Sequence, residues 1–167
     1  MLFLIPIPFS DLQKFDYSQR QIPLKLTVLK YSSQYDSVSY EASNVVDRKK
    51  FYPNEWATKN EGPAAWIELS VENATAPSQL SMLAITPRYS SRSEIPKQVL
   101  ASFDDGSVQV LNFDCSVNTQ NFVVNKTSAK IKLTFQSICD SSFSNPGFGE
   151  IEAYSNKSMF FVCLLYI

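Results

Sequence analysis

The sequence contains no histidine, and this absence excludes several kinds of chemistry. Histidine is the commonest general base near neutral pH and the commonest protein ligand of transition metals. Zinc hydrolases, Ser-His-Asp triads and Cys-His nucleophile pairs are therefore excluded in their usual forms. The chain also lacks a P-loop, a G-x-S-x-G motif and a G-x-G-x-x-G motif, and no spacing of its carboxylates favours a glycosidase pair. We therefore expect that the protein is not an enzyme.

Cysteine is scarce, and the three residues Cys115, Cys139 and Cys163 form no C-x-x-C pair. This spacing excludes the usual cysteine motifs for redox chemistry and zinc binding. Cys115 and Cys139 each follow a predicted strand and are able to meet across one end of a sheet structure. The sequence leaves open whether these two form a disulfide or remain buried or free thiols.

The chain also lacks an excess of charge of either sign. The chain has 15 basic and 16 acidic residues, a formal net charge of -1, and its basic residues are scattered apart from Arg48-Lys49-Lys50. A nucleic-acid backbone requires a continuous positive surface, so we expect no nucleic-acid partner. The near-neutral charge also gives little attraction to anionic lipid, which makes a membrane partner unfavoured.

The apolar runs are short and lie at the two termini. Residues 159–167 are nine apolar residues, about half of what a membrane-spanning helix requires. The apolar N-terminus is interrupted by Pro6 and Pro8 and lacks a basic segment, so it is a poor signal peptide. We expect residues 1–20 to be an N-terminal extension, residues 21–154 to be one domain, and residues 155–167 to be an apolar C-terminal tail.

What the sequence does contain is a repeated alternation of apolar and polar residues, with no long 3.6-residue pattern. Ile67 and Leu69, for example, alternate with Trp66 and Glu68. This pattern predicts an all-β protein, a two-sheet jelly-roll β-sandwich of about eight strands. The predicted strands are residues 24–30, 65–71, 79–86, 97–103, 107–113, 120–124, 129–136 and 148–154.

The connections between these strands are of two kinds. Asp104-Asp105-Gly106 predicts a tight type I′ hairpin, because Asp-Gly readily supplies positive φ angles. Three other loops, residues 31–63, 87–96 and 140–147, are long or unusual, and in a sandwich such loops gather at the ends, where binding sites are built. The first is too long for a structureless connector, so we expect it to be ordered and functional.

Several motifs occur in an order typical of one family. The strongest are the loop Glu55-Trp56-Ala57-Thr58, a W-I-x-L strand at residues 66–69, and a G-x-x-E-I-E-x-Y strand at residues 147–154. Weaker matches are residues 42–47, Arg88, residues 102–107 and residues 129–133. Over residues 22–154 the chain resembles the galactose-binding-like family, which includes discoidin and coagulation factor 5/8 type C domains. The likeness is greatest to family 32 carbohydrate-binding modules.

The resemblance implies a structural calcium ion near the start of the tryptophan loop. Its ligands would be the backbone carbonyl of Asn44 and the carboxylates of Asp47 and Glu150, which are oxygen ligands of the kind that calcium prefers. The sequence departs from the family pattern at Arg48, where glycine is usual, and this arginine is able to supply positive charge in place of an ion. In the alternative interpretation, Asp47 belongs to an ion pair or turn and Glu150 lies on a solvated strand face.

The resemblance also implies that Arg88 contacts a sugar, because a guanidinium offers several fixed donors to adjacent hydroxyls. The asparagine that usually follows is absent, although Ser90 or Ser93 is able to replace it. Alternatively, Arg88 forms an ion pair with Glu94 or Asp47 at the rim of the sandwich.

Aromatic residues in the predicted loops are candidates for stacking on a sugar ring. The same rings are able to cap the ends of the sandwich, and in lipid-binding relatives such rings enter a membrane interface. These candidates are Phe51, Tyr52, Tyr89, Phe143 and Phe148.

Together these features predict a non-catalytic carbohydrate-binding module whose partner is a glycan or glycoprotein. Such a module would accompany a glycan-processing domain or act in cell adhesion. The alternatives are a protein-interaction or structural sandwich that has lost sugar binding and, less favoured, a phospholipid-binding discoidin-like domain. Sequons at Asn73, Asn125 and Asn156 are a weak indication of an extracellular or cell-surface location.

Overall fold

The computed structural model describes residues 21–50, 53–72, 76–88, 94–140 and 145–156. These residues include ten strands and the 3-10 helix Ala42–Val46, and none of them is in an α-helix. No helix in the described ranges is long and apolar enough to cross a membrane. The strands are β1 Gln21–Leu24, β2 Leu26–Tyr31, β3 Trp56–Ala57, β4 Trp66–Val71, β5 Ser78–Pro87, β6 Pro96–Phe103, β7 Val108–Asn112, β8 Gln120–Ser128, β9 Lys130–Ile138 and β10 Gly147–Asn156.

The strands form two antiparallel five-stranded sheets, which confirms the all-β sandwich. In the first sheet the order is β1-β10-β5-β8, and β3 pairs with the beginning of β10. In the second sheet the order is β2-β4-β9-β6-β7. Each sheet buries one face, because apolar residues alternate with polar ones along the strands.

The predicted strand at residues 24–30 is wrong in one respect, because it is two strands in different sheets. Leu24 pairs with Ala153 in the first sheet, whereas Leu26 pairs with Val71 in the second. Between them, Lys25 exchanges hydrogen bonds with Glu72, whose carboxylate accepts the Lys25 N–H and whose own N–H donates to the Lys25 carbonyl. A continuous alternation pattern does not reveal this change of sheet.

Two other strand predictions need correction. The two-residue strand β3 is too short to give a periodic signal, and it was not predicted. Strand β8 extends to Ser128 instead of ending at residue 124, because a bulge near Asn125 shifts its register against β5 and breaks the alternation.

The hairpin between β6 and β7 is confirmed, but its turn is not type I′. Only Gly106 of the turn residues has a positive φ, 76°. The Gly106 N–H donates to the Phe103 carbonyl, and the Phe103 N–H donates to the Ser107 carbonyl. These bonds define a three-residue loop in which a single glycine takes the left-handed position.

The core contains a cluster of three aromatic rings that joins the two sheets. Phe135 of β9 lies 4.7 Å from Phe148 of β10 and 6.2 Å from Trp56 of β3, between ring centroids. All three side chains are fully buried. The Trp56 indole N–H donates to the Ser33 carbonyl, so the tryptophan also fixes the start of the long loop.

Strand direction places most long loops together. Register pairs such as Pro87 with Phe148, Pro96 with Ile138, and Ile85 with Gln120 show that β5 and β9 end where β6, β8 and β10 begin. We call this end of the sandwich the loop end. The described parts of the three predicted loops, residues 31–63, 87–96 and 140–147, lie at this end, and the β7–β8 connection lies there too.

We expect Phe135→Ala to lower the free energy of unfolding by about 3–5 kcal/mol, because it removes a fully buried ring and leaves a cavity between the sheets. Urea unfolding followed by circular dichroism measures this loss. Val108→Ala, at a side chain that is 58% exposed, is the control and should change stability by no more than about 0.5 kcal/mol. Equal losses of stability for the two variants would contradict the central role of the three-ring cluster.

Candidate functional site

A small pocket opens at the loop end, with a volume of about 180 Å³. We call it the loop-end pocket. Its walls come from the long loop, from β3, from the end of β5, and from the segments preceding β6 and β10. The lining residues are Tyr35, Tyr40, Ala57, Arg88, Glu94 and Asn145.

Arg88 lies at the base of this pocket and is held by several segments. Its Nη1 donates to Glu94 Oε2 at 2.6 Å and to the Asn145 carbonyl at 2.7 Å. Its Nε lies 3.5 Å from Glu55 Oε2. The side chain is only 5% exposed. The predicted ion pair between Arg88 and Glu94 is therefore present, whereas Asp47 instead pairs with a lysine.

The charges around Arg88 are unusual, because one buried cation faces two buried carboxylates. Glu55 is fully buried and Glu94 is 5% exposed. Glu94 also accepts the Asn145 N–H on Oε1 at 3.0 Å. Removing one member of such a buried group leaves its partners uncompensated, which typically costs about 3–5 kcal/mol. The cluster therefore fixes the positions of the surrounding loops.

Two tyrosines of the long loop form the outer wall of the pocket. The Tyr40 ring centroid lies 5.1 Å from the Arg88 guanidinium carbon, and Tyr35 meets Tyr40 edge to face at 5.8 Å. Asp36 orders this part of the loop, because its Oδ1 accepts the N–H groups of Val38, Ser39 and Tyr40. These hydrogen bonds lower the pKa of Asp36. Tyr35 remains 49% exposed and accessible.

Tyr35, Tyr40 and Asn145 were not among the predicted site residues, and Glu94 was predicted only as an ion-pair partner. One signal was available, since an aspartate followed by short polar residues favours a turn that brings flanking side chains together. The order of the long loop agrees with the expectation from its length. No sequence pattern, however, joins Tyr40 to Arg88.

The predicted ligand-contact rings divide into two groups. Phe148 is fully buried in the aromatic core, so it is not available to a ligand and its assignment as a contact residue is corrected. The bulge between Phe148 and Glu150 turns the ring inward. The other four rings, Phe51, Tyr52, Tyr89 and Phe143, lie outside the described residues and remain predictions.

The open question of the cysteines is resolved by a disulfide between Cys115 and Cys139, with Cα atoms 5.9 Å apart. It joins the β7–β8 connection to the end of β9. The Cys139 N–H donates to the carbonyl of Ile95, the residue after Glu94. The disulfide therefore supports the segment that carries one of the two carboxylates beside Arg88.

Gly147 allows β3 to approach β10 at the edge of the pocket. A Cβ atom at this position would lie 1.8 Å from the Trp56 carbonyl oxygen and 2.8 Å from Arg88 Cδ. Only glycine fits this approach without moving the backbone.

A second polar site lies beside β10, away from the loop-end pocket. Glu150 is 1% exposed, and its Oε2 has no hydrogen-bond partner among the described residues. Burial raises the pKa of Glu150 to about 8, with further contributions from the negative charges of Asp47 and Glu152. The predicted alternative of a solvated Glu150 is therefore wrong. A cleft of about 540 Å³ that Glu150, Glu152 and Arg48 help to line opens here.

Of the predicted calcium ligands, Glu150 lines this cleft, whereas Asn44 and Asp47 belong to the 3-10 helix and its end, whose residues Val46 and Arg48 reach the cleft. Asp47 ends the 3-10 helix, and its Oδ2 lies 3.6 Å from Lys49 Nζ, so the predicted ion pair is also present. The two carboxylates and the Asn44 carbonyl are oxygen donors of the kind that calcium prefers, and the Oε2 atom of Glu150 has no hydrogen-bond partner that would compete with an ion among the described residues. Across the described ranges, no group of three or more acidic or cysteine side chains surrounds a metal position. Arg48 makes no salt bridge within those ranges, but its backbone N–H donates to the Glu150 carboxylate and the residue helps to line the same cleft.

No protein-family model matches the chain, and no curated protein matches it in sequence. Among solved structures, the chain is similar to the family 32 module of Clostridium perfringens NanJ in complex with galactose. The two sequences are 15% identical, the match covers 78% of this chain and 94% of that chain, and the TM-score is 0.63. It is also similar to an F5/8 type C domain from Bacteroides fragilis, with 15% identity, coverages of 78% and 91%, and a TM-score of 0.59.

A third similar structure is allantoicase from Saccharomyces cerevisiae, with 15% identity and a TM-score of 0.62. The match covers 81% of this chain but only 43% of allantoicase. The fold therefore occurs both in binding modules and within an enzyme. At these identities the likeness establishes the fold, which is the galactose-binding-like β-sandwich that the sequence motifs predicted.

We expect the metal-free protein to lose stability as the pH rises from about 4.5, the ordinary pKa of glutamate, to about 8. The folded state holds the Glu150 proton more tightly than the unfolded chain, so the stabilisation is complete below this range and is lost through it. Thermal unfolding in chelator across this pH range measures the effect. Glu150→Gln should flatten the profile, and an unchanged profile would contradict the assignment.

We expect the double variant Cys115→Ser/Cys139→Ser to lose about 2–4 kcal/mol of stability, because the disulfide closes a loop with a sequence separation of 24. Denaturant unfolding with and without reductant measures the loss. The control is Cys163→Ser, which leaves the bond intact and should match the unaltered protein. If reductant has no effect on the unaltered protein, the disulfide does not form in solution.

Proposed function

We propose that this domain is a non-catalytic carbohydrate-binding module that holds a sugar of a glycan or glycoprotein in the loop-end pocket. The observation that carries the proposal is the pocket's combination of a fixed guanidinium, a carboxylate and two tyrosine rings. Arg88 and Glu94 offer a donor and an acceptor in fixed positions. Tyr35 presents an exposed ring, and such rings stack on the apolar face of a sugar.

The size of the pocket supports a small ligand. At about 180 Å³ it lies below the roughly 300–1,000 Å³ that encloses a drug-sized molecule. A pocket of this size suits one sugar ring at the end of a glycan better than an extended chain. The ion pairs beneath it reduce the ordering cost of binding, because the polar groups are already positioned.

The arrangement of the carboxylates supports binding without catalysis. Glycosidases need two carboxyl groups that flank the scissile bond, one of them able to donate a proton. Glu55 and Glu94 instead both face the same cation, the Arg88 guanidinium. Neither is placed as a proton donor to a ligand.

A calcium ion at Asn44, Asp47 and Glu150 is part of the proposal. When bound, it would supply positive charge that offsets the two carboxylates and ties the end of the 3-10 helix to β10. Its role would be structural, since Glu150 opens on a cleft that shares no lining residue with the loop-end pocket.

We place the module outside the cell or on its surface. Disulfides persist in oxidising compartments, and the Cys115–Cys139 bond supports such a location. There the module would attach a linked glycan-processing domain to its substrate or act in adhesion.

One observation favours an alternative, a sandwich that docks on a protein and has lost sugar binding. Arg88 is only 5% exposed and is engaged by two carboxylates, so less of it reaches a ligand. Capture of one stoichiometric protein, together with no glycan binding, would favour this function. Sedimentation with liposomes would instead favour the phospholipid-binding alternative.

We expect Tyr35→Ala to weaken glycan binding by about tenfold, because it removes a stacking ring worth about 1 kcal/mol or more. The matched control is Tyr31→Ala, which removes a tyrosine of similar exposure, 40%, that does not line the pocket. A glycan array identifies the ligand, and titration calorimetry with and without calcium measures the affinities. Absence of glycan binding by folded protein in both conditions would refute the proposed function.

A further inference from the structure

One sequon lies entirely within the described residues, at Asn125-Lys126-Thr127 on strand β8. This triplet is the acceptor sequence for N-linked glycosylation. Both functional positions, Asn125 and Thr127, are exposed. The other two sequons, at Asn73 and Asn156, each include residues outside the described ranges. An oligosaccharide at Asn125 also requires space around the side chain.

The backbone presents Asn125 away from the sheet. Asn125 has a φ of 47°, in the left-handed region, and it lies where the register between β5 and β8 shifts. Leu80 pairs with Lys126 but Met82 pairs with Val123, so β8 holds an additional residue at this bulge. No hydrogen bond from the Asn125 side chain occurs within the described part of the chain, and its amide is therefore open to modification.

Asn125 lies on an edge strand that carries exposed apolar side chains, which a hydrophilic group would shield from other molecules. Among the described strands, β8 is the last of its sheet and β7 the last of the other. The two edges meet where the Gln109 side chain donates to the Val123 carbonyl at 2.9 Å. Val123 is 67% exposed, and Val108 and Val110 are 58% and 46% exposed. Exposed apolar edge strands promote association between sheets unless something covers them.

We propose that Asn125 carries an N-linked oligosaccharide that covers the β8 edge and the neighbouring valines. In the transfer, the Asn125 amide nitrogen attacks the anomeric carbon of a lipid-linked diphosphate oligosaccharide. A carbon–nitrogen bond forms, the carbon–oxygen bond to the diphosphate breaks, the lipid diphosphate leaves, and the amide loses one proton. The disulfide is consistent with passage through the oxidising compartment in which this transfer occurs.

The modification is independent of the proposed sugar-binding role. β8 begins at the loop end with Gln120, so Asn125 lies five residues further along, about 16 Å away at the usual strand rise. The attachment point therefore lies outside the loop-end pocket.

The test uses the full chain secreted from a eukaryotic cell behind a cleavable leader, with Asn73→Gln and Asn156→Gln in the background. We expect the intact mass to exceed that of the polypeptide and to fall after treatment with peptide N-glycosidase. Asn125→Gln and Thr127→Ala should abolish the additional mass, whereas Thr127→Ser should retain it. Secreted, folded protein without additional mass in both the background and Thr127→Ser would overturn the proposal.

The covering role has a separate readout. Enzymatic deglycosylation of folded protein should increase self-association, measured by sedimentation velocity over a range of concentrations. Val123→Lys in the deglycosylated protein should reverse the increase, because it places a charge on the same edge. If the deglycosylated protein remains as monomeric as the glycosylated form, the glycan does not serve to cover the edge.

Discussion

The geometry of the loop end depends on the burial of one guanidinium. Arg88 follows β5, and it is held by Glu94 before β6, by the Asn145 carbonyl before β10, and by Glu55 before β3. Residues 55, 88, 94 and 145, which flank four different strands, thus share one charged centre. Since each buried carboxylate would be costly without the cation, the loops and the arginine fix one another. The pocket is a consequence of this mutual dependence.

Asn44 links the 3-10 helix to the segment that precedes β3. The Asn44 amide donates to the Glu55 carbonyl at 3.1 Å, while its own carbonyl belongs to the turn that ends at Asp47. The backbone of Glu55, whose carboxylate lies 3.5 Å from Arg88 Nε, is therefore held by the 3-10 helix as well as by its own segment.

The sequence predicted features that repeat locally and missed those that depend on long-range contacts. Alternation identified the buried faces of β4 and β9, and ordered motifs identified the fold, because both follow from burial of side chains along a strand. The change of sheet at Lys25 and the pairing of Tyr40 with Arg88 depend on tertiary contacts that leave no periodic pattern. Phe148 was misplaced for the same reason, since a bulge decided which way its ring points.

The pairing of Gln21 with Asn156 has a consequence for how the domain is displayed. Both residues lie at the far end of β10 from Gly147, roughly 30 Å from the loop end at the usual strand rise. The two ends of the domain therefore lie together at the end of the sandwich opposite the loop-end pocket, so a polypeptide joined to either of them would leave the pocket exposed.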